Sequence, residues 1–133
     1  MPERPPIVCL CGSTKFRDLF IEFNRLLTLE GNIVLTVGFF GHAEEVPPTD
    51  AQKLALDELH LRKIDLADEV FFLNPDGYIG DSGRRELAYA IATNKQVVFF
   101  DSTAGDVYQE KNAHALGAIV AEFLLKQIEQ ETK

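Results

Sequence analysis

The chain has 133 residues, of which 46% are hydrophobic, with ten phenylalanines and a formal net charge of −8. That apolar content suits one domain with one core and excludes a disordered segment. The acidic balance speaks against a nucleic-acid polymer or an anionic membrane as the main partner, and no stretch reaches the ~20 apolar residues of a membrane span.

"MPERPP" (1–6) reads as a short extended tail without the apolar centre of a signal peptide, so a cytoplasmic protein is expected. A single domain follows over 7–130. "IVCLCG" (7–12) is an apolar run ending at a glycine, the profile of a strand buried on both faces. Its two cysteines, Cys9 and Cys11, are the only ones in the chain and fall on one face, a poor geometry for a disulfide, and read as buried reduced thiols. In the next segment Phe16, Leu19, Phe20, Phe23, Leu26 and Leu27 recur at helical spacing, with Gly31 as a stop. "NIVLTVG" (32–38) gives a second strand.

"FFGHAEEVPPTD" (39–50) is too rich in glycine and proline for a regular element and is long for an α/β connection, as binding loops often are. Asp50 is read as the N-cap of a second helix, "AQKLALDELHLRKIDLA". On that helix Leu56, Leu59, Ile64 and Ala67 are expected inward, and Asp57, Lys63 and Asp65 outward. A third strand (68–74), a third helix ("SGRRELAYAIATN") and a fourth strand (95–101) follow, then a polar stretch and a last amphipathic helix.

Alternating strands and helices imply an α/β fold, a doubly wound, flavodoxin- or Rossmann-like open parallel sheet of order 2-1-3-4, with room for a short fifth strand. Ligands of such sheets sit beyond the carboxyl ends of the strands at the switch point, here between strands 1 and 3.

Three segments meet there: "GSTK" (12–15), the loop around 39–48 and "NPDGYIGDSG" (74–83), with the second helix nearby. Gly12, Ser13, Thr14 and Lys15 offer amides, hydroxyls and an ammonium that suit an anion, although the same residues also make an ordinary capped turn. Their pattern is neither GxGxxG nor a P-loop. Gly80, Asp81, Ser82 and Gly83 lead into the third helix, which carries Glu86. A capping box from Ser82 would place its acid at Arg85, one residue short of Glu86, so the box does not account for this glutamate. Asp57 and His60 lie one turn apart on the second helix, where His60 is a candidate proton donor or partner of Glu86. His42 and His114 have no partner at useful spacing, and no His/Cys/Asp/Glu set shows metal-ligand spacing, so neither a metal nor a cofactor is expected.

"IVCLCGSTKF", "LRKIDLADEVFFLN" and "GYIGDSGRRELAYAIATNKQVVFF" together resemble the nucleoside 2-deoxyribosyltransferase family, which includes small hydrolases of nucleoside 5′-monophosphates. The resemblance covers roughly residues 7 to 100 and lies in motif order: a glycine-serine turn, an "AD" before strand 3, and E-x-x-x-A before a K-x-V strand. It implies Glu86 as nucleophile with Ala90 closing the motif, and Gly12, Ser13 and Gly80 to Gly83 around the sugar and phosphate. Where the family has an aspartate before strand 3 this chain has His60, with Asp57 a turn earlier; where some members have a tyrosine in strand 1 it has Cys9. The implied activity is cleavage of the N-glycosidic bond of a nucleoside or its 5′-monophosphate, by a homo-oligomer. The alternative is a non-catalytic nucleotide-binding or sensing module of the same fold.

Overall fold

The computed structural model describes residues 4–40 and 47–101. His42, the centre of the 39–50 loop, the expected fifth strand, and the last helix with His114 lie outside the described residues. Four strands, β1 (Ile7–Gly12), β2 (Ile33–Leu35), β3 (Glu69–Leu73) and β4 (Gln96–Phe99), alternate with three α-helices, α1 (Arg17–Leu29), α2 (Asp50–Leu66) and α3 (Asp81–Ala92). All strand pairs are parallel and the order is β2-β1-β3-β4, the expected α/β architecture. No helix among the described residues is long and apolar enough to cross a membrane.

β1 runs through the middle of the sheet, and Val8, Cys9, Leu10 and Cys11 are fully buried. Side chains alternate between sheet faces, so β1 feeds two cores. Val8 and Leu10 join Phe71 and Leu73 of β3 against Phe20, Phe23 and Leu27 of α1. Cys9 and Cys11 join Val70, Phe72, Val97 and Phe99 against Ile64 of α2 and Ala90 of α3. Phe23 packs on Phe71 with ring centroids 4.8 Å apart and meets Phe100 edge-on at 5.6 Å.

The helix ends differ in detail from the reading of the sequence. Thr49, not Asp50, caps α2: its side chain accepts from the Gln52 N–H, and the Gln52 side chain accepts from the Thr49 N–H, a complete capping box. Asp50 is thereby left as a first-turn acid. A short 3₁₀ turn over Thr14–Phe16 precedes α1, and Gly31, at φ 92°, follows its end. β2 has three residues rather than the seven of "NIVLTVG".

Two tethers hold the strand ends. At the amino edge, Asp68 accepts from Arg4 at 2.6 and 2.9 Å and from the Ile7 N–H at 2.8 Å, which holds its carboxyl down at about 2. At the carboxyl edge, the fully buried Asn74 bridges the ends of β3 and β4. Its Oδ1 accepts from the Asp101 N–H at 2.8 Å and its Nδ2 donates to the Asp101 carbonyl at 3.3 Å. Replacing Asn74 by alanine deletes both bonds in a dry site, and a loss of about 1–3 kcal/mol is expected. Urea unfolding checks this: the midpoint falls while the slope stays unchanged.

Candidate active site

A cavity of about 640 Å³, within the range of small-molecule sites, opens at the carboxyl ends of β1 and β3. The three stretches expected at the switch point contribute to its lining: Gly12 to Thr14, then Phe39, Pro47 and Pro48 from the loop before α2, and Gly80 to Gly83 at the start of α3; Asp57 and His60 of α2 and Glu86 of α3 join them. Lys53, Lys63, Tyr78 and Arg85 add cations and an aromatic ring that sequence reasoning did not assign to the site.

Glu86 reaches the cavity from the inward stripe of α3. Gly83, Glu86 and Ala90 are the buried residues of that helix, spaced three and four apart as one helical face requires. The helix begins at Asp81 after Gly80, with no side-chain cap, so Glu86 lies in the second turn. No reading of it as an N-terminal cap residue survives that register.

Gly83 is what allows α3 so close to the sheet. A β-carbon there would stand 3.0 Å from the Phe72 ring and 3.2 Å from Ile79.

The carboxyl of Glu86 is nearly out of solvent, with the residue 8% exposed. It accepts a hydrogen bond from the Gly12 backbone N–H, while its Oε1 is buried with no hydrogen-bond partner among the described residues. Burial pushes its pKa from 4.5 to about 7, against the opposing pull of His60's charge and the Gly12 N–H. Gly12 makes this contact at φ 137°, where a β-carbon would lie 2.5 Å from the Leu73 carbonyl oxygen. The turn after β1 therefore requires glycine.

His60 occupies the matching place on α2, whose buried residues are His60 and Ile64, one turn apart. The sequence reading put Leu56 and Leu59 inward. Both are exposed in the structure, at 38% and 51%, and the imidazole takes the inward position with 6% exposure. Its Nε2 faces the thiols of β1, 3.4 Å from Cys11 Sγ and 3.7 Å from Cys9 Sγ. Burial works to lower the imidazole pKa, but hydrogen bonding and charge at Cys9, with the charge of Glu86, outweigh it and hold it raised. Cys9 is held down by its hydrogen bond to Cys11 and by His60, whereas burial drives Cys11 up. The fold brings the sulfurs of Cys9 and Cys11 and a ring nitrogen of His60 within 4.8 Å of one another, a proximity that the sequence spacing does not show.

Asp57 takes a different role from its neighbour one turn on. It pairs with Arg85 of α3 at 3.0 Å and with Lys53 at 3.6 Å, tying the two helices across the cavity. Lys53 also donates to Ser82 Oγ at 3.3 Å. Ser13 caps the 3₁₀ turn by accepting from the Lys15 N–H, as an ordinary turn would. Lys15 itself does not line the cavity, and its ammonium lies 3.5 Å over the Tyr78 ring. Lys95 of the K-x-V segment closes the carboxyl end of α2, donating to the Asp65 and Ala67 carbonyls at 3.1 and 2.8 Å.

Neither the protein-family models nor the curated proteins compared with this chain give a match.

The buried carboxyl makes stability depend on pH. Folded Glu86 keeps its proton up to about pH 7, whereas a free carboxyl loses it near 4.5. Between these values the folded state binds the extra proton, so stability falls as pH rises across that window. Glu86→Gln escapes this penalty. It is expected to exceed wild type by on the order of 3 kcal/mol above pH 7 and to match it below pH 4.5, as read from denaturation at both ends.

Proposed function

We propose that the protein cleaves the N-glycosidic bond of a nucleoside or nucleoside 5′-monophosphate, in the manner of the nucleoside 2-deoxyribosyltransferase family, with Glu86 as nucleophile. One observation carries the reading. A carboxylate oxygen, Glu86 Oε1, is buried and unpartnered at a cavity of substrate size. A structural glutamate in such a place would normally have found a donor. An oxygen with no hydrogen-bond partner among the described residues suits an atom that must approach an electrophilic carbon.

In the first step a Glu86 oxygen forms a bond to C1′ while the bond from C1′ to the base nitrogen breaks, its electron pair leaving with the base. Positive charge gathers on the sugar, and the buried carboxylate opposes it at short range in a medium of low polarity. In the second step water attacks C1′ as the bond from C1′ to the Glu86 oxygen breaks and frees the carboxylate. The water's proton passes to the departed base nitrogen by way of Asp57; a second base in place of water makes the reaction a transfer. The Nε2 of His60 is turned to the thiols, so its part is to set the charge around Glu86. Asp57, at the cavity wall, is the better placed of the two to meet the base or the water.

The uncapped start of α3 supports a substrate phosphate. The amides of a helix N-terminus favour an anion, and Ser82 and Lys53 stand beside this one. Gly80 to Gly83 would then hold the phosphate and Glu86, one turn further, the sugar.

Base release from ribo- and deoxynucleosides and their 5′-monophosphates tests the reading. Wild type is expected to release base from at least one class, and Glu86→Ala to be slower by at least about a thousandfold. Asp57→Asn should lose about a hundredfold, the scale of one acid-base group. The wild-type kcat/KM should climb with pH through about 7, as Glu86 becomes the attacking anion. If wild type releases no base, with or without an acceptor base, while still binding nucleotide, the protein is a binding module instead.

A further inference from the structure

Behind the cavity wall, Cys9 Sγ, Cys11 Sγ and His60 Nε2 all lie within 4.8 Å of one another, and all three residues are buried. In the glycosidic chemistry only the charge of His60 has a part, and the packing of the core does not need two thiols against an imidazole. Small apolar side chains at 9 and 11 would fill the strand face as well. A buried imidazole usually spends its nitrogen on a carbonyl or carboxylate, because a thiol is a weak hydrogen-bond partner. Among the described residues, Nε2 here meets the two sulfurs alone.

We propose that Cys9, Cys11 and His60 form a binding site for a thiophilic d¹⁰ metal ion of the zinc class. The donor set is the first argument: two thiolate sulfurs and one imidazole nitrogen are ligands that such ions select over calcium or magnesium. The second is geometry. Zinc–sulfur bonds of about 2.3 Å and zinc–nitrogen bonds of about 2.0–2.1 Å, at a tetrahedral angle, hold S and N about 3.6 Å apart. The two S–N distances, 3.4 and 3.7 Å, lie on either side of that value. Three protein ligands leave one tetrahedral position for a solvent or ligand atom, the pattern of an open rather than a closed site. His60 also lines the cavity, which provides a way in.

The backbone explains how a site arises without any sequence motif. A C-x-C pair in a strand presents both sulfurs to one face, and the register of α2 brings an imidazole 49 and 51 residues away in sequence down onto them. The proposal is independent of the glycosidase reading and stands or falls on metal binding alone.

Titration of the full, reduced chain with Co²⁺, a spectroscopic stand-in for zinc, tests it directly. The chain has only two cysteines, so any thiolate-to-cobalt charge-transfer absorption must come from Cys9 or Cys11. The expected result is such a band, with tetrahedral d–d absorption, saturating at one equivalent and abolished by one equivalent of Zn²⁺. Cys9→Ser should roughly halve the charge-transfer intensity, and His60→Ala should weaken binding by at least about tenfold, since losing even an outer-shell partner costs that much. The wild-type spectrum decides the matter even if a variant fails to fold. A reduced wild-type chain that gives no charge-transfer band overturns the site. So does a folded His60→Ala chain that binds Co²⁺ as tightly as wild type.

Discussion

The burial of β1 on both faces is the constraint on which the rest of the molecule depends. A strand in the middle of a parallel sheet has helices above and below it, so every side chain must fit one core or the other. Val8 and Leu10 meet this with aliphatic groups facing α1, while Cys9 and Cys11 face α2 and α3. The strand then ends at Gly12, whose positive φ and close approach to the Leu73 carbonyl turn the chain across the mouth of the cavity. Its N–H goes to Glu86. One six-residue strand thus supplies part of both cores, two sulfurs of the buried cluster and the donor that holds the buried carboxyl.

Among the described residues, the buried polar groups Asn74 and Glu86 differ in how their hydrogen bonding is met. Asn74 is fully buried with both ends of its amide bonded to the Asp101 backbone. Such a group specifies how β3 and β4 end and asks nothing further of its surroundings. Glu86 is buried with one oxygen unpartnered among the described residues, and burial displaces its pKa upward. Desolvation without compensation is costly, and folds retain it chiefly where the group is put to use. Asp57 lies between these cases. It is paired with two cations, yet still borders the cavity. Helices α2 and α3 are therefore joined by charge at the rim of the site and by apolar packing deeper in, through Ile64 and Ala90.

Helical register decided the roles of individual residues. On α3 the inward stripe runs Gly83, Glu86, Ala90, so the carboxylate stands where a hydrophobic residue would ordinarily pack. On α2 the equivalent place holds His60, and Leu56 and Leu59, although exposed, line the cavity beside it. The expectation that these leucines face inward followed from treating hydrophobicity as the only guide to register. Two polar contacts accompany this register of α2: the charge pairing of Asp57 with Arg85, and the Lys95 ammonium at the helix terminus. Neither is visible as a hydrophobic period.

The amino-acid sequence by itself determined the alternation of strands and helices, the buried character of the first strand and the parallel order 2-1-3-4. Those features follow from local periodicity, from glycine and proline punctuation, and from the handedness of crossovers. It also brought Gly12, Ser13, Asp57, His60, Gly80 to Gly83 and Glu86 to one end of the sheet, because the carboxyl ends of parallel strands share an edge. Only the tertiary structure decided that Thr49 caps α2, that Lys15 stacks on Tyr78 outside the cavity, and that Lys53 and Arg85 border it. The grouping of Cys9, Cys11 and His60 was likewise its decision. Each of these depends on a rotation of a helix about its own axis or on contacts between residues far apart in the chain. Local sequence carries no term for either.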